Sequence, residues 1–298
     1  AALGATGWRW RARVAERAAF AAHYTTPVAA PDGPVAVYHL GHSLVGRDMP
    51  AMLAELGGHR WNSQLGWGAS LKDHWLGAVP GFAEENASAA FRPAGEALDS
   101  GGYPVVVLTE MVELRDAIRW HDSADHLALW ALRARAANPA VRVCLYETWH
   151  RLDDPDDWLE RLDRDLDRYW LRQVLGPALQ ELPQGTRINL IPAGQVLAAF
   201  VRVIEAQGGV DNIRDRTDLF ARGSDGAVDP IHLNDMGNYL VSLVHFTVLY
   251  HASPVGLPTA LRKADGTPAL APGARAARLM QETTARIVVS LGLSGIAA

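Results

Sequence analysis

The sequence predicts an α/β protein: a three-layer α/β/α sandwich in which a central parallel sheet carries helices on both faces. Short apolar runs alternate with amphipathic stretches between residues 35 and 250, and a β-α-β-α rhythm folds into that architecture. One run, Val105-Val106-Val107-Leu108, reads as a central buried strand. With 298 residues, 49% hydrophobic and 20% charged, the chain can form an ordinary globular core. Its length is large for one domain but within the range of a single α/β layer protein.

The elements follow in order. Residues 1–34 read as an N-terminal helical segment and linker, the linker being a loop from His23 to Pro34 with three prolines and a glycine. Residues 35–298 read as the main domain. Val35–Leu40 is expected to be the first strand and Arg47–Leu56 the helix after it. His59–Leu65 reads as a second strand, and Pro104–Leu108 as the central one. Ser123–Ala136 is expected to be a helix with Ser123 as its N-cap. Val141–Tyr146 is the next strand. Pro155–Leu175 spaces Trp158, Leu162, Leu166, Tyr169 and Trp170 three to four apart, as an amphipathic helix does. Its Asp-rich start suits the positive end of the helix dipole. Arg187–Ile191 is a further strand, and Leu233–Tyr250 closes the domain as an apolar helix.

A net charge of -5 argues against nucleic acid or an anionic membrane as the main partner. No apolar run reaches the roughly 18–20 residues that cross a bilayer. The single cysteine, Cys144, excludes an intrachain disulfide and a multi-cysteine metal site, and its apolar neighbours predict a buried, inert thiol. The chain starts Ala1-Ala2-Leu3 without an initiating Met, which leaves a removed export signal open and the compartment undetermined. The basic run Trp8-Arg9-Trp10-Arg11-Ala12-Arg13 reads as part of a surface-packing helix rather than a targeting segment.

Chemistry concentrates at two places. Directly after the first strand stands Gly41-His42-Ser43-Leu44-Val45-Gly46. A glycine lets the chain turn sharply, and a serine there projects above the sheet at a helix N-terminus, where free N–H groups favour negative charge. Serine needs an adjacent base to act as a nucleophile; otherwise such a serine simply caps the helix. Far along the chain stands Asp229-Pro230-Ile231-His232-Leu233-Asn234. Histidine is the natural general base near neutrality, and an Asp three residues earlier can fix its tautomer. The alternative is an N-capping Asp beside a surface His.

Taken together, the two blocks resemble the SGNH/GDSL-type serine hydrolases. Gly41-His42-Ser43-Leu44 stands where that family has Gly-Asp-Ser-Leu, and Asp229-Pro230-Ile231-His232 where it has its Asp/His pair. The continuation His-Leu-Asn-x-x-Gly is similar too. The resemblance implies a flavodoxin-like α/β/α fold and esterase, lipase, thioesterase or carbohydrate O-deacylase chemistry. Its nucleophile would be Ser43, its base His232 and its acid Asp229. An α/β-hydrolase fits worse, because the second glycine of Gly-x-Ser-x-Gly is displaced to Gly46.

The resemblance also implies an oxyanion hole built from the N–H of Ser43 and that of a glycine after the second strand. Gly68 in Gly66-Trp67-Gly68-Ala69-Ser70 is preferred for this over Gly66. The family's Gly-x-Asn-Asp block is missing, since Thr109-Glu110-Met111 follows the central strand. Thr109 is then a candidate donor, or the hole has two donors, or Glu110 is protonated or binds a polar substrate group. His42 in place of the family's Asp is a second departure. Glu147 and Trp149, at the end of the next strand, are further candidates for substrate binding. If Glu110 and Glu147 approach within about 5 Å, one of them should have a raised pKa.

Two clusters are read mainly as structural. His121-Asp122 and Asp125-His126 suit a helix N-terminus better than a metal site, and no metal or organic cofactor is expected. Trp61, Trp67 and Trp75 flank Gly68, where a sugar-stacking platform competes with plain core and wall roles. The sequence therefore points to an esterase acting on a small acyl ester, with acetyl on a carbohydrate as one such substrate. An O-acyltransferase and a catalytically silent carbohydrate-binding protein on the same fold are the rivals.

Overall fold

In the computed structural model, which describes Phe20 and residues 22–296, five strands form one parallel sheet. They are β1 (Val37–His42), β2 (Trp61–Gly66), β3 (Val105–Leu108), β4 (Arg142–Glu147) and β5 (Ile188–Pro192), in the order β2-β1-β3-β4-β5. The basic run at residues 8–13 and most of the expected N-terminal helical segment lie outside the described residues.

Burial on both faces shows in the parity of the strands. Val37, Val105, Val107, Cys144 and Tyr146 point into one apolar cluster. Their neighbours Tyr38, Leu40, Val106, Leu108, Val143 and Leu145 point into the other. Successive strand side chains alternate between faces, so each run must be apolar throughout. Cys144 is buried as expected, and burial pushes its thiol up to about 11.

Helices cover both faces. In chain order they are α1 (Asp48–Gly57), α2 (Leu71–Leu76), α3 (Phe82–Glu85), α4 (Ala94–Asp99), α5 (Leu114–Trp120), α6 (Ser123–Ala137), α7 (Trp158–Asp165), α8 (Gly176–Gln180), α9 (Ala193–Ala206), α10 (Asp235–Tyr250) and α11 (Ala274–Leu291). The expected helix Pro155–Leu175 is composite. It starts at Trp158, because Asp157 takes the capping position and accepts from the amides of Leu159 and Glu160, and it winds as a π-helix over Leu166–Leu175. The N-cap of α6 is Asp122, in the left-handed region at φ 47, and Ser123 is the first helical residue. Helix α10 does not close the domain, since α11 packs behind it with Met280 and Val288 in the shared core.

The strand order sets the position of the site. From β1 the chain goes to β2 on one side and then crosses to β3 on the other. The carboxyl end of β1 thus lies at the point where the direction of winding reverses, the usual ligand crevice of open α/β sheets. Ser43 follows β1 there.

One core feature is unusual. His39, in the middle of β1, is fully buried with neither ring nitrogen hydrogen-bonded among the described residues. Its ring lies 6.1 Å from that of His245 and 6.3 Å from that of Trp61. Burial drives His39 well below its ordinary value, and His59 and His245 to about 4. An unfolded chain binds protons on these rings near pH 6.5, whereas the native state refuses them. Their stabilising effect is full above that pH and is lost as pH falls towards 4. His39→Phe should therefore flatten the loss of stability between about pH 6.5 and 4, read as urea midpoints. An acid limb as steep as the wild type's would contradict this account of His39.

Candidate active site

Ser43 stands in a tight turn between β1 and α1. The amides of Val45 and Gly46 both donate to the His42 carbonyl, at 2.9 and 3.4 Å. Gly46 takes φ +57, which a glycine adopts at no steric cost. Gly41 serves a different end from the sharp turn expected of it. It lies inside β1, and a Cβ there would sit 2.4 Å from Cγ2 of Thr109, the residue after β3. Close strand packing, rather than the turn, requires that glycine.

His42 is buried, and burial lowers it to about 4, so its ring is neutral. Its Nε2 lies 2.8 Å from the Glu110 carbonyl, and its Nδ1 accepts from the Leu44 amide at 3.3 Å. These partners place the ring proton on Nε2. The His42 side chain thus ties the serine turn to the residues that follow β3.

The base block is a strand. β6 (Phe220–Arg222) and β7 (Val228–Leu233) form an antiparallel hairpin, and Asp229 and His232 lie on β7. Asp229 Oδ1 accepts from the amides of Ile231 and His232 at 2.8 and 2.9 Å, and Oδ2 lies 2.9 Å from His232 Nδ1. Partial burial would raise this carboxyl, but the His232 and Ile231 amides and the imidazole outweigh it and hold it below its ordinary value. His232 Nε2 is 2.9 Å from Ser43 Oγ across 189 residues of chain. The structure therefore brings Ser43, His232 and Asp229 into one hydrogen-bonded row.

The rest of the block positions that row. Asn234 caps α10, its Oδ1 accepting from the amides of Met236 and Gly237, while its Nδ2 donates to the Asp218 and Phe220 carbonyls. Gly237 is required because a Cβ would come within 2.6 Å of the Leu219 carbonyl. Two bonds dock β7 against the segment after β4: Trp149 Nε1 donates to the Ile231 carbonyl at 2.7 Å, and the Leu152 amide to that of Pro230 at 2.8 Å.

A cleft of about 170 Å³ opens at Ser43 and His232. Trp149 lines it, as do Leu44, Met49 and three polar residues that sequence reasoning missed, Arg47, Asp48 and Asn238. Arg47 and Asp48 begin the helix after the serine and Asn238 lies in the first turn of the helix after the histidine. Position relative to the two blocks was the signal that could have found them. Arg47 Nη2 donates to the Glu84 and Glu85 carbonyls at 2.7 and 2.9 Å, which fixes its head.

Gly68 lies just past β2, whose Gly66 pairs in register with His42. It has φ +55, a Cβ there would meet open space, and its amide has no partner among the described residues. The Ser43 amide is likewise without one.

Three expected substrate residues face inward instead. The Thr109 hydroxyl donates to the Tyr146 carbonyl at 2.7 Å, so its proton is committed inside the sheet. Glu110 is fully buried, and its Oε1 accepts from the Met111 and Leu71 amides at 2.8 and 3.3 Å. Glu147 is buried against the start of α9, accepting from the Gln195 amide at 3.2 Å and its side chain at 3.1 Å. A Cβ on Gly194 would lie 2.4 Å from Glu147 Oε1. Burial pushes Glu110 up to about 7 and Glu147 to about 8, against the pull of these amide donors. Neither carboxyl is raised by the other, contrary to the pairing considered from sequence.

No protein-family model matches the sequence, nor does any curated protein. Among solved structures, the chain is similar to a DUF4886 family protein from Bacteroides uniformis, at 13% identity and a TM-score of 0.54, covering 86% of this chain and 95% of that one. It also matches a candidate SGNH hydrolase from Slackia heliotrinireducens, at 20% identity and TM-score 0.41, over 72% and 98% of the two chains. A carbohydrate esterase family 3 structure from Talaromyces cellulolyticus matches at 15% identity and TM-score 0.40, over 73% and 97%. At 13% identity the likeness to the Bacteroides uniformis protein is one of fold alone, and in this chain that fold is a central parallel sheet with helices on both faces.

Glu147 yields a test of the inward-facing assignment. Its folded value of about 8 exceeds the ordinary 4.5, so the native state holds a proton that the unfolded chain releases. Its contribution is full below the ordinary value and is lost as pH rises through the folded one. Glu147→Gln keeps the side chain neutral, so stability should fall less steeply than the wild type's between about pH 5 and 8.5. Urea midpoints with equal slopes in the two proteins would refute the buried, protonated carboxyl.

Proposed function

We propose that the protein is a serine ester hydrolase of the SGNH type, acting on a small acyl ester such as acetyl on a carbohydrate. The observation that carries this reading is the row Ser43 Oγ, His232 Nε2, His232 Nδ1, Asp229 Oδ2, with 2.9 Å at each of its two contacts. A general base needs hydrogen-bond reach to the proton it takes, and this row supplies it.

Ser43 Oγ attacks the ester carbonyl as His232 takes its proton. Asp229, ionised and fixed by two amides, holds Nδ1–H and stabilises the imidazolium. The oxyanion forms against the amides of Ser43 and Gly68, each of which contributes roughly 3–4 kcal/mol when aimed at it. His232 then passes the proton to the leaving alcohol, leaving an acyl group on Ser43. Water, deprotonated by His232, attacks the acyl carbon; the bond from Ser43 Oγ to that carbon breaks, His232 returns the proton to Oγ and the acid leaves. These steps use only groups of the chain and water.

A fluorophosphonate should label the wild type rapidly and Ser43→Ala not at all. Asp229→Asn should lower ester turnover roughly 10⁴-fold with the fold intact. A wild type that resists labelling, or that is labelled equally in the Ser43→Ala variant, would overturn the reading and favour a silent binding protein. Product analysis with added alcohol separates hydrolysis from acyl transfer.

A further inference from the structure

Trp67 is the residue that the site description leaves unused. It is 55% exposed, an uncommon state for the largest aromatic side chain at the ligand-bearing edge of a sheet. It follows Gly66, the register partner of His42, as Ser43 follows His42. Adjacent strands lie about 4.8 Å apart, so Trp67 and Ser43 leave the sheet side by side, and Gly68 comes next.

The ring is held, not loose. A Cβ on Gly81 would lie 2.2–2.5 Å from Trp67 Cδ2, Cε2 and Cγ, so the indole rests against backbone that only glycine leaves bare. The Trp67 amide donates to the Pro80 carbonyl at 2.8 Å. The same segment is fastened to the cleft, since Arg47 grips the carbonyls of Glu84 and Glu85 at the end of α3. One short bridge, residues 80–85, therefore joins the indole to a residue lining the cleft.

We propose that Trp67 is a stacking platform for a pyranose ring on the alcohol side of the ester. This rests on the serine-esterase reading and deepens it by naming the residue that holds the sugar ring. A preset flat ring offers apolar contact at little entropic cost. Across the bridge of residues 80–85, which Arg47 grips, the cleft presents donors and acceptors from Arg47, Asp48 and Asn238. A hydrocarbon alcohol would desolvate the Asn238 amide and the second carboxylate oxygen of Asp48 without offering either a partner, which is unfavourable. A sugar presents an apolar ring face to the indole and hydroxyls to the polar side chains.

The test separates binding from catalysis by using Ser43→Ala protein. Methyl 6-O-acetyl-glucopyranoside, which keeps its ring hydroxyls, and triacetin, an acetyl ester without a ring, are titrated calorimetrically. The pyranoside should bind more tightly than triacetin. Adding Trp67→Ala should weaken pyranoside binding about five-fold and leave triacetin unchanged, with Trp67→Phe intermediate. Gly81→Ala, which pushes the ring aside, should act in the same direction. Equal weakening for both ligands, no change for the pyranoside, or no detectable pyranoside binding would each overturn the platform. Fluorophosphonate labelling of the wild type is run in parallel, so failure of the esterase reading shows separately as failure of the wild type to label.

Discussion

A carboxylate that accepts two backbone amides has no rotation left to spend, and the geometry around Ser43 depends on that constraint at Asp229. Its Oδ1 is fixed by the amides of Ile231 and His232, so Oδ2 has one direction in which to point, and the imidazole follows it. The ring is thereby fixed to β7, but β7 belongs to a two-stranded hairpin outside the main sheet. Such a hairpin has little stability of its own. Its position relative to Ser43 comes from elsewhere: Trp149 and Leu152 hold it, and they belong to the segment that follows β4.

That segment has its own anchor. Arg161, almost fully buried, pairs with Glu113, Asp154 and Asp165. Each carboxylate takes a different guanidinium nitrogen, so the buried head is held in one orientation. Asp154 lies on the loop carrying Leu152, and Glu113 lies beyond β3, so the cluster ties the ends of β3 and β4 together. A contact of 2.9 Å between Ser43 and His232 is thus the last link in a chain of fixed contacts running across three strand ends. Ser43 is held from its own side as well, through the neutral His42 ring bonded to the Glu110 carbonyl.

The sequence made most of the sheet legible because burial on both faces leaves a continuous apolar run, and β1, β3, β4 and β5 carry one or most of one, whereas β2 has Asn62, Ser63 and Gln64 at its centre. It also made Ser43, Asp229 and His232 legible as neighbours, because each lies in a compact block with its local partners. It did not disclose the hairpin. Val228–Leu233 is half exposed and contains Pro230, so it lacks the apolar run that identifies a buried strand. Helix α11 was missed for a similar reason: its apolar residues form one stripe among many charged ones. Arg47, Asp48 and Asn238 have no motif of their own, and only the packing of α1 against α10 brings them to one cleft.

Glu110 and Glu147 show where position along a strand stops being informative. Both occur at the carboxyl edge of the sheet, where a ligand-binding side chain would stand. A residue at a strand end can face either the crevice or the layer beneath, and the choice depends on unpaired amides nearby. The starts of α2 and α9 present such amides at Leu71 and Gln195, and the two carboxyls fill that need. With Thr109 committed to Tyr146, the end of β3 offers the cleft no side-chain donor in place of the missing Asn. On the esterase reading, oxyanion stabilisation then falls to the backbone N–H groups of Ser43 and Gly68. Losing one donor costs roughly 3–4 kcal/mol of transition-state stabilisation. That loss has to be offset by substrate binding away from the carbonyl, which is where the held indole of Trp67 and the polar wall of the cleft acquire their importance.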